Sequence, residues 1–226
     1  MGFGLLFLGY LITFVGAMTP VYAFTQVFGV LLMVYALSKL SIHNRWFKIT
    51  LCAGLLYVLQ SFYTLLVYVM GWGTDSVHGL TVQYSNAILV FTFHALLLVS
   101  IRRIAMDTEL PKLKIRAVSN MITTAVYCVL TVLPRFGWIS NETVVQYVAL
   151  ASVLLGVLWL ILNASLIFSC YMWICFEGEE NMEKSPINIP FLNTINDAMN
   201  RGIDKMAQRR AEKDRDYINT KNRKKK

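Results

Sequence analysis

The stretch VVQYVALASVLLGVLWLILNASLIFSCYMWICF, residues 144–176, has no charged side chain in any of its positions. A helix that crosses the hydrocarbon core of a membrane needs about 20 apolar residues. This stretch is longer than that, so a helix formed by it must tilt or project beyond the bilayer. It predicts an all-α protein built as a polytopic bundle of membrane helices.

Five further apolar runs precede this stretch and extend the same prediction. They cover 2–18, 21–40, 49–70, about 83–101, and a run that begins near 117 and meets Pro134. Only Thr19 and Pro20 separate the first two runs, which indicates a tight hairpin turn. The runs predict about six spans within residues 1–176 and a cytosolic tail over 177–226. A cleaved signal peptide is the alternative for the first run, but no Lys or Arg precedes its apolar part.

Charged residues are scarce and unevenly placed along the chain. They make up 15% of the sequence, against 56% hydrophobic residues, and the mean hydropathy is +0.53. Soluble domains carry about 25% charged residues. The Lys and Arg residues concentrate in the second connection, the fourth connection and the tail, and basic residues in short loops stay cytosolic. Six spans place all three on one side, which predicts a multi-pass plasma-membrane protein with both termini in the cytosol.

The tail is the clearest candidate for contact with lipid headgroups. Apolar residues recur at intervals of three or four after Pro190, which predicts an amphipathic helix over about 191–206. Beyond about Asp216 the composition predicts a disordered, polybasic end. Clusters of basic residues beside a membrane attract anionic lipid, and the candidates here are Arg209, Arg210, Lys213, Lys221, Arg223, Lys224, Lys225 and Lys226. A solvated tail without a partner is the alternative, and no recognised motif predicts binding to nucleic acid.

Four predicted spans each carry a hydrogen-bonding side chain near the middle of the membrane. These residues, the mid-membrane cluster, are Gln60, His94, Tyr127 and Asn163. His94 is the only ionisable side chain predicted deep within a span, and an imidazole in hydrocarbon needs a hydrogen-bond partner. We expect His94 to face the interior, within hydrogen-bonding reach of one of the other three, directly or through water. The cluster either joins the helices or lines a small polar site.

Polar residues also form stripes along two predicted spans. The stripe on the fifth span comprises Asn120, Thr124, Tyr127, Thr131 and Arg135, and that on the third comprises Tyr57, Ser61, Thr64 and Tyr68. Stripes that faced each other would form a polar seam through the bundle. Arg135 is a candidate anion site at the outer mouth, and the alternative is an arginine that reaches toward lipid headgroups.

The sequence carries no signature of an enzyme. It lacks HExxH, the P-loop glycines and GxSxG, and no Asp or Glu falls inside a predicted span. The four cysteines lie in apolar runs without the spacing of metal ligands. We therefore expect no catalytic residue, no metal site and no cofactor.

These features predict a non-enzymatic accessory or sensory membrane component that acts through its cytosolic face and tail. Its expected partners are the lipid bilayer, anionic headgroups and a membrane or cytosolic protein. A carrier of small solutes or ions, built around His94, is the alternative. Carriers commonly show internal repeats and broken helices, and neither pattern is evident in this sequence.

Overall fold

The computed structural model describes residues 2–17, 19–73, 76–132, 142–174 and 190–223. In this part of the chain there are seven helices and no strand, which confirms the all-α prediction. The helices are α1 (Gly2–Gly16), α2 (Tyr22–Leu40), α3 (Arg45–Val69), α4 (Val77–Asp107), α5 (Pro111–Val132), α6 (Glu142–Trp173) and α7 (Pro190–Arg223).

Five of the helices, α2 to α6, are long and apolar enough to cross a membrane. The protein is therefore of the helical membrane type, as its composition predicted. Helix α1 is apolar but has 15 residues, which gives it a length of roughly 22 Å, against a hydrocarbon core of about 30 Å. The sixth span accordingly stays a prediction.

Two helices begin well before the apolar runs that predicted them. Helix α4 begins at Val77, and the Ser76 hydroxyl caps it by accepting a hydrogen bond from the Gly79 nitrogen at 3.0 Å. Helix α5 begins at Pro111, since proline suits the first position of a helix. Arg116, which lies just before the apolar run that begins near 117, is consequently part of α5. Apolar runs stop at the first polar or charged residues, whereas helices continue to a cap or a turn.

Helices α1 to α6 form a closed ring. Each packs against the next in chain order, and α1 packs against α6. Helices α1 and α2 approach each other closely at two glycines, Gly9 and Gly29. A Cβ atom on Gly29 would lie 2.6 Å from the Thr13 nitrogen and 2.8 Å from the Gly9 oxygen. The absence of a side chain at these glycines thus allows the two backbones to touch, as small residues do at membrane helix interfaces.

The ring has two ends, because successive helices run in opposite directions. We call the end with the α1–α2 turn the Pro20 end, and the end with the α2–α3 connection the Arg45 end. Buried apolar side chains, among them Phe3, Phe47 and Leu97, fill the interior toward the Arg45 end. Phe3 and Phe47 meet edge to face with their ring centroids 5.9 Å apart. Packed side chains therefore leave no open interior toward the Arg45 end among the described residues.

Helix α7 belongs to a second compact unit, distinct from the one that contains α1 to α6. It has 34 residues, whereas the sequence predicted a helix over 191–206 and disorder beyond Asp216. In the described residues the helix continues to Arg223. Residues 207–223 include four Arg, two Lys, two Ala and one Glu, and the helix propensity of these residues favours the longer helix. The predicted domain boundary at 176 lies outside the described residues, and an amphipathic role for α7 stays a prediction.

Candidate functional site

A cavity of about 310 Å³ lies inside the ring, toward the Pro20 end. All six helices of the ring contribute to its walls, and none of the described residues that line it carries a charge. Sites for small molecules typically enclose about 300 to 1,000 Å³ and combine apolar walls with a few polar groups. The size and lining of this cavity fit that class of site.

Six aromatic side chains form much of the cavity wall. They are Phe14, Tyr22, Tyr57, Phe91, Tyr127 and Trp159. The ring of Tyr127 lies 5.1 Å from that of Trp159, with their planes inclined by 32°. Phe91 meets Tyr127 at 5.7 Å, and Phe14 meets Trp159 edge to face at 5.7 Å. These separations are typical of favourable ring pairs, so the four residues form one continuous aromatic surface.

Amide and hydroxyl groups supply the polar part of the lining. The Gln26 Nε2 atom donates a hydrogen bond to Asn86 Oδ1 at 3.0 Å, which joins α2 to α4. The Thr131 hydroxyl is occupied, because it donates to the Tyr127 backbone oxygen at 2.7 Å. The Asn86 amide nitrogen and the Tyr127 hydroxyl form no hydrogen bond with any described residue, although both residues line the cavity. Both groups are therefore free to bind a ligand.

A second cavity, of about 450 Å³, adjoins the first toward the Pro20 end. The two share Tyr22, Thr64, Val82 and Gln83. Trp72 also lines the second cavity and stacks on His78, with ring centroids 4.1 Å apart. The inner cavity therefore continues toward the helix ends.

His94 lies next to the inner cavity and is only 1% exposed. Its Nδ1 atom is 2.7 Å from the Val90 oxygen, and its Nε2 atom is 3.2 Å from the Tyr10 hydroxyl. With the proton on Nδ1, the imidazole donates to Val90 and accepts from Tyr10. Its ring packs against Trp159 at 4.4 Å and Phe14 at 5.1 Å. Both of these residues line the cavity, whereas His94 does not.

The direct hydrogen-bond partner of His94 across the helices is a residue that the sequence did not propose. The expected partners were Gln60, Tyr127 and Asn163, but the described hydrogen bond goes to Tyr10 on α1. Sequence reasoning missed Tyr10 because tyrosine is common in packed interfaces and α1 carried no strongly polar residue. Tyr10 is fully buried, so its hydroxyl also needs a partner.

Two other members of the mid-membrane cluster meet at Trp159, and the fourth does not. Tyr127 packs on the indole ring, and Asn163 Nδ2 donates to the Trp159 backbone oxygen at 2.9 Å. Gln60 instead turns toward α4, with its Nε2 atom 3.5 Å from the Val82 oxygen. Trp159 therefore connects three of the four residues of the cluster.

A polar seam leads from Trp159 toward the Arg45 end, between α5 and α6. The indole Nε1 donates to the Thr124 hydroxyl at 2.9 Å. One turn along, Asn120 Nδ2 donates to Asn163 Oδ1 at 3.3 Å and to the Leu162 oxygen at 3.0 Å. Asn120 is 1% exposed, and no described residue donates a hydrogen bond to its Oδ1 atom.

Arg116 continues this seam with a buried charge. The residue is 2% exposed, and its Nη1 and Nη2 atoms donate to the hydroxyls of Ser169 and Ser165, both at 2.8 Å. The Ser169 hydroxyl donates in turn to the Ser165 backbone oxygen at 2.9 Å. The four-residue spacing of the serines places them on one face of α6, and this spacing was the signal in the sequence.

The remaining candidates are Arg135 and the basic residues of the tail. Arg135, the candidate at the outer mouth, falls outside the described residues. Arg209 is exposed on α7. The side chains of Arg210, Lys213, Lys221 and Arg223 fall outside the described part, as do Lys224, Lys225 and Lys226. The lipid-binding role of these basic residues stays a prediction.

Neither a metal centre nor a relative indicates the chemistry of the site. Among the described residues, no group of three or more His, Cys, Asp or Glu side chains is placed to hold a metal ion. The function is therefore inferred from the cavity, its aromatic walls and the polar seam. No family model, no curated protein and no solved structure matches the chain.

Proposed function

We propose that this chain is a non-enzymatic sensory component of the plasma membrane. A small molecule binds in the inner cavity, and the protein acts through its cytosolic face and tail. The observation that supports this is the asymmetry of the ring. One half encloses the cavity, while buried residues such as Leu98 and Ile101 fill the other. A site that is closed on one side suits a receptor better than a pathway across the membrane.

The proposed orientation places the Pro20 end outside the cell. Six spans put both termini in the cytosol, and the basic residues of the short connections then lie on the cytosolic side. Trp46 and Arg103 fit this orientation, since the guanidinium lies 5.3 Å from the indole ring near the Arg45 end. Aromatic and basic side chains commonly meet at the membrane surface. The ligand would enter from outside.

The polar seam is the proposed route from the cavity to the cytosolic face. Trp159 lines the cavity and is hydrogen-bonded to Thr124 on α5. Further along, Arg116 holds the same two helices together through Ser165 and Ser169. Coupling between sites is carried by contiguous hydrogen bonds and packed side chains. A ligand that displaces Trp159 would therefore shift α5 against α6. A membrane or cytosolic protein is the proposed receiver, and the basic tail is the proposed contact with anionic lipid.

The proposed function can be tested by filling the cavity with a larger side chain and measuring the exposure of a fluorophore on the tail. Ala87 lines the cavity on α4, so Ala87→Phe should mimic an occupied site. Ala151 is exposed on α6, and Ala151→Phe is the matched control. Each variant carries a fluorophore at Thr194→Cys, with all four native cysteines replaced by alanine, in lipid nanodiscs. We expect Ala87→Phe to change the quenching of the fluorophore by iodide and Ala151→Phe to leave it unchanged. Equal quenching in all three proteins would contradict the sensory function.

A carrier is the second candidate, because polar stripes of two helices meet at the cavity. Tyr57 and Thr64 of α3 line it, as do Tyr127 and Thr131 of α5. A carrier must expose its site alternately to both sides. In sealed vesicles, Ala87→Cys should react with an impermeant maleimide from both sides if the protein is a carrier. A sensor should allow the reaction only from the Pro20 side.

A further inference from the structure

We infer that the inner cavity binds an uncharged, planar aromatic molecule of about two fused rings that carries a hydrogen-bond acceptor. This inference rests on the proposed function, to which it adds the chemical class of the ligand. Three properties of the cavity carry it: the neutrality of the lining, the shape of the aromatic walls and the position of the free polar groups.

The neutrality of the lining argues against an ion. No described lining residue is charged, and an ion that enters a low-dielectric interior loses its hydration without gaining a counter-charge. Aromatic faces can attract cations. The described walls, however, contain no carboxylate whose charge would offset the lost hydration. A neutral molecule avoids this cost altogether.

The walls favour a flat molecule. Phe91, Tyr127 and Trp159 form one connected aromatic surface, and the ring of Tyr57 contributes to the lining from α3. Flat rings gain most from stacked or edge-to-face contacts. A cavity of about 150 Å³ accommodates benzene in an engineered protein. The 310 Å³ here therefore has room for two fused rings.

The free polar groups require a polar atom on the ligand. The Asn86 Oδ1 atom already accepts from Gln26, so Asn86 offers its N–H groups as donors. The Tyr127 hydroxyl, which has no hydrogen bond to a described residue, offers a second donor or acceptor. A ligand that leaves these groups unpaired loses affinity, as seen when polar sites reject apolar analogues. The ligand should therefore present an acceptor to Asn86.

Three probes of nearly equal shape separate these properties. The first is 6-fluoroquinoline, which is neutral and has one acceptor nitrogen. The second is 2-fluoronaphthalene, which lacks the acceptor. The third is N-methylquinolinium, a cation without fluorine, which is tested as a competitor of 6-fluoroquinoline. Binding to the full chain in nanodiscs is followed by ¹⁹F NMR. Only signal that excess unlabelled quinoline displaces is counted, because the probes also partition into lipid.

We expect saturable binding of 6-fluoroquinoline to the wild type and to Ala151→Phe, and none to Ala87→Phe. The naphthalene should bind about tenfold more weakly, since it lacks one hydrogen bond. Asn86→Leu should abolish this preference while retaining the naphthalene, which also shows that the variant is folded. Tyr127→Phe reports separately on the hydroxyl, because it keeps the ring, and should weaken quinoline binding by less than tenfold.

Three results would overturn the inference: no saturable quinoline binding, equal binding of the naphthalene, or displacement by N-methylquinolinium. The fluorophore experiment on Ala87→Phe needs no ligand, so the two proposals fail separately. If Ala87→Phe changes the quenching of the tail fluorophore but quinoline does not bind, the ligand class alone is refuted. If quinoline binds and the tail does not respond, the sensory function alone is refuted.

Discussion

The indole ring of Trp159 lies against the imidazole of His94, with centroids 4.4 Å apart and planes inclined by 50°. Trp159 lines the cavity, while His94 is buried behind it. The pair therefore marks the boundary between the cavity and the packed part of the ring. Substitutions on the two sides of this boundary should have different effects.

The hydrogen bond between Tyr10 and His94 should stabilise the ring. Tyr10→Phe keeps the aromatic ring and removes the hydroxyl that lies 3.2 Å from the imidazole. Hydrogen bonds between membrane helices contribute about 0.6 to 2 kcal/mol, so we expect unfolding in detergent to become easier by about 1 kcal/mol. His94→Leu should cost more, because it also removes the contact with the Val90 oxygen. Tyr35→Phe, at an exposed position on α2, is the control.

If the melting temperature of Tyr10→Phe is unchanged, the hydrogen bond between Tyr10 and His94 does not hold the helices together. If His94→Leu instead abolished the response of the tail at an unchanged melting temperature, His94 would belong to the functional site.

Arg116 should stabilise the packing of α5 against α6. Hydrogen bonds to charged groups contribute about 1.5 to 3 kcal/mol each, and Arg116 donates to both Ser165 and Ser169. Arg116→Met retains the length of the side chain and should lower the unfolding free energy by about 2 kcal/mol or more. Lys114→Met, at an exposed position on the same helix, should leave it nearly unchanged. Equal stability of the two variants in detergent melts would show that the buried arginine does not stabilise the fold.

The orientation of the ring can be read from two labelling sites. Gly73 lies in the α3–α4 connection, where a Cβ atom would have no heavy atom within 4 Å, and Ile42 is 77% exposed in the α2–α3 connection. In a cysteine-free background on intact cells, Gly73→Cys should react with an impermeant maleimide. Ile42→Cys should react only after permeabilisation. The opposite pattern would reverse the proposed topology.

The basic end of the chain should associate with anionic lipid in a salt-dependent manner. Each Lys or Arg near such a surface contributes roughly 1 kcal/mol, and added salt shortens the range of the attraction. Energy transfer from a donor at Lys221→Cys to a lipid-borne acceptor should be stronger in anionic than in neutral nanodiscs and should fall as salt rises. Replacing Lys224, Lys225 and Lys226 with glutamine should reduce it. Transfer that is equal in both lipids would exclude the electrostatic contact.

The sequence predicted the helices well and their ends poorly, for one physical reason. Long apolar runs identify helices because the cost of burying backbone polar groups in lipid leaves few alternatives. Charge, however, does not end a helix. Arg116 lies just outside the apolar run that begins near 117, yet α5 begins at Pro111, and the guanidinium is hydrogen-bonded to two serines.

The cavity could not be predicted, because it depends on how each helix is rotated about its axis. The sequence showed that Tyr57 and Thr64 share a face of one helix, and that Tyr127 and Thr131 share a face of another. It did not show that both faces would line one space. Gln26 and Asn86 form a hydrogen bond between helices, but they lie 60 residues apart in the chain and follow no local pattern. Trp159 did carry a signal, since it lies near the middle of its predicted span, away from the membrane surfaces that tryptophan prefers.

The contact between α1 and α6 has a consequence for biosynthesis. The ribosome makes α1 first and α6 last among the helices of the ring, so α1 is made long before one of its two neighbours. Until then the contact of α1 with α6 cannot form, and the ring stays open. A transcript that is cut short before α6 would thus leave an open arc of helices, the kind of unfinished product that membrane quality control removes.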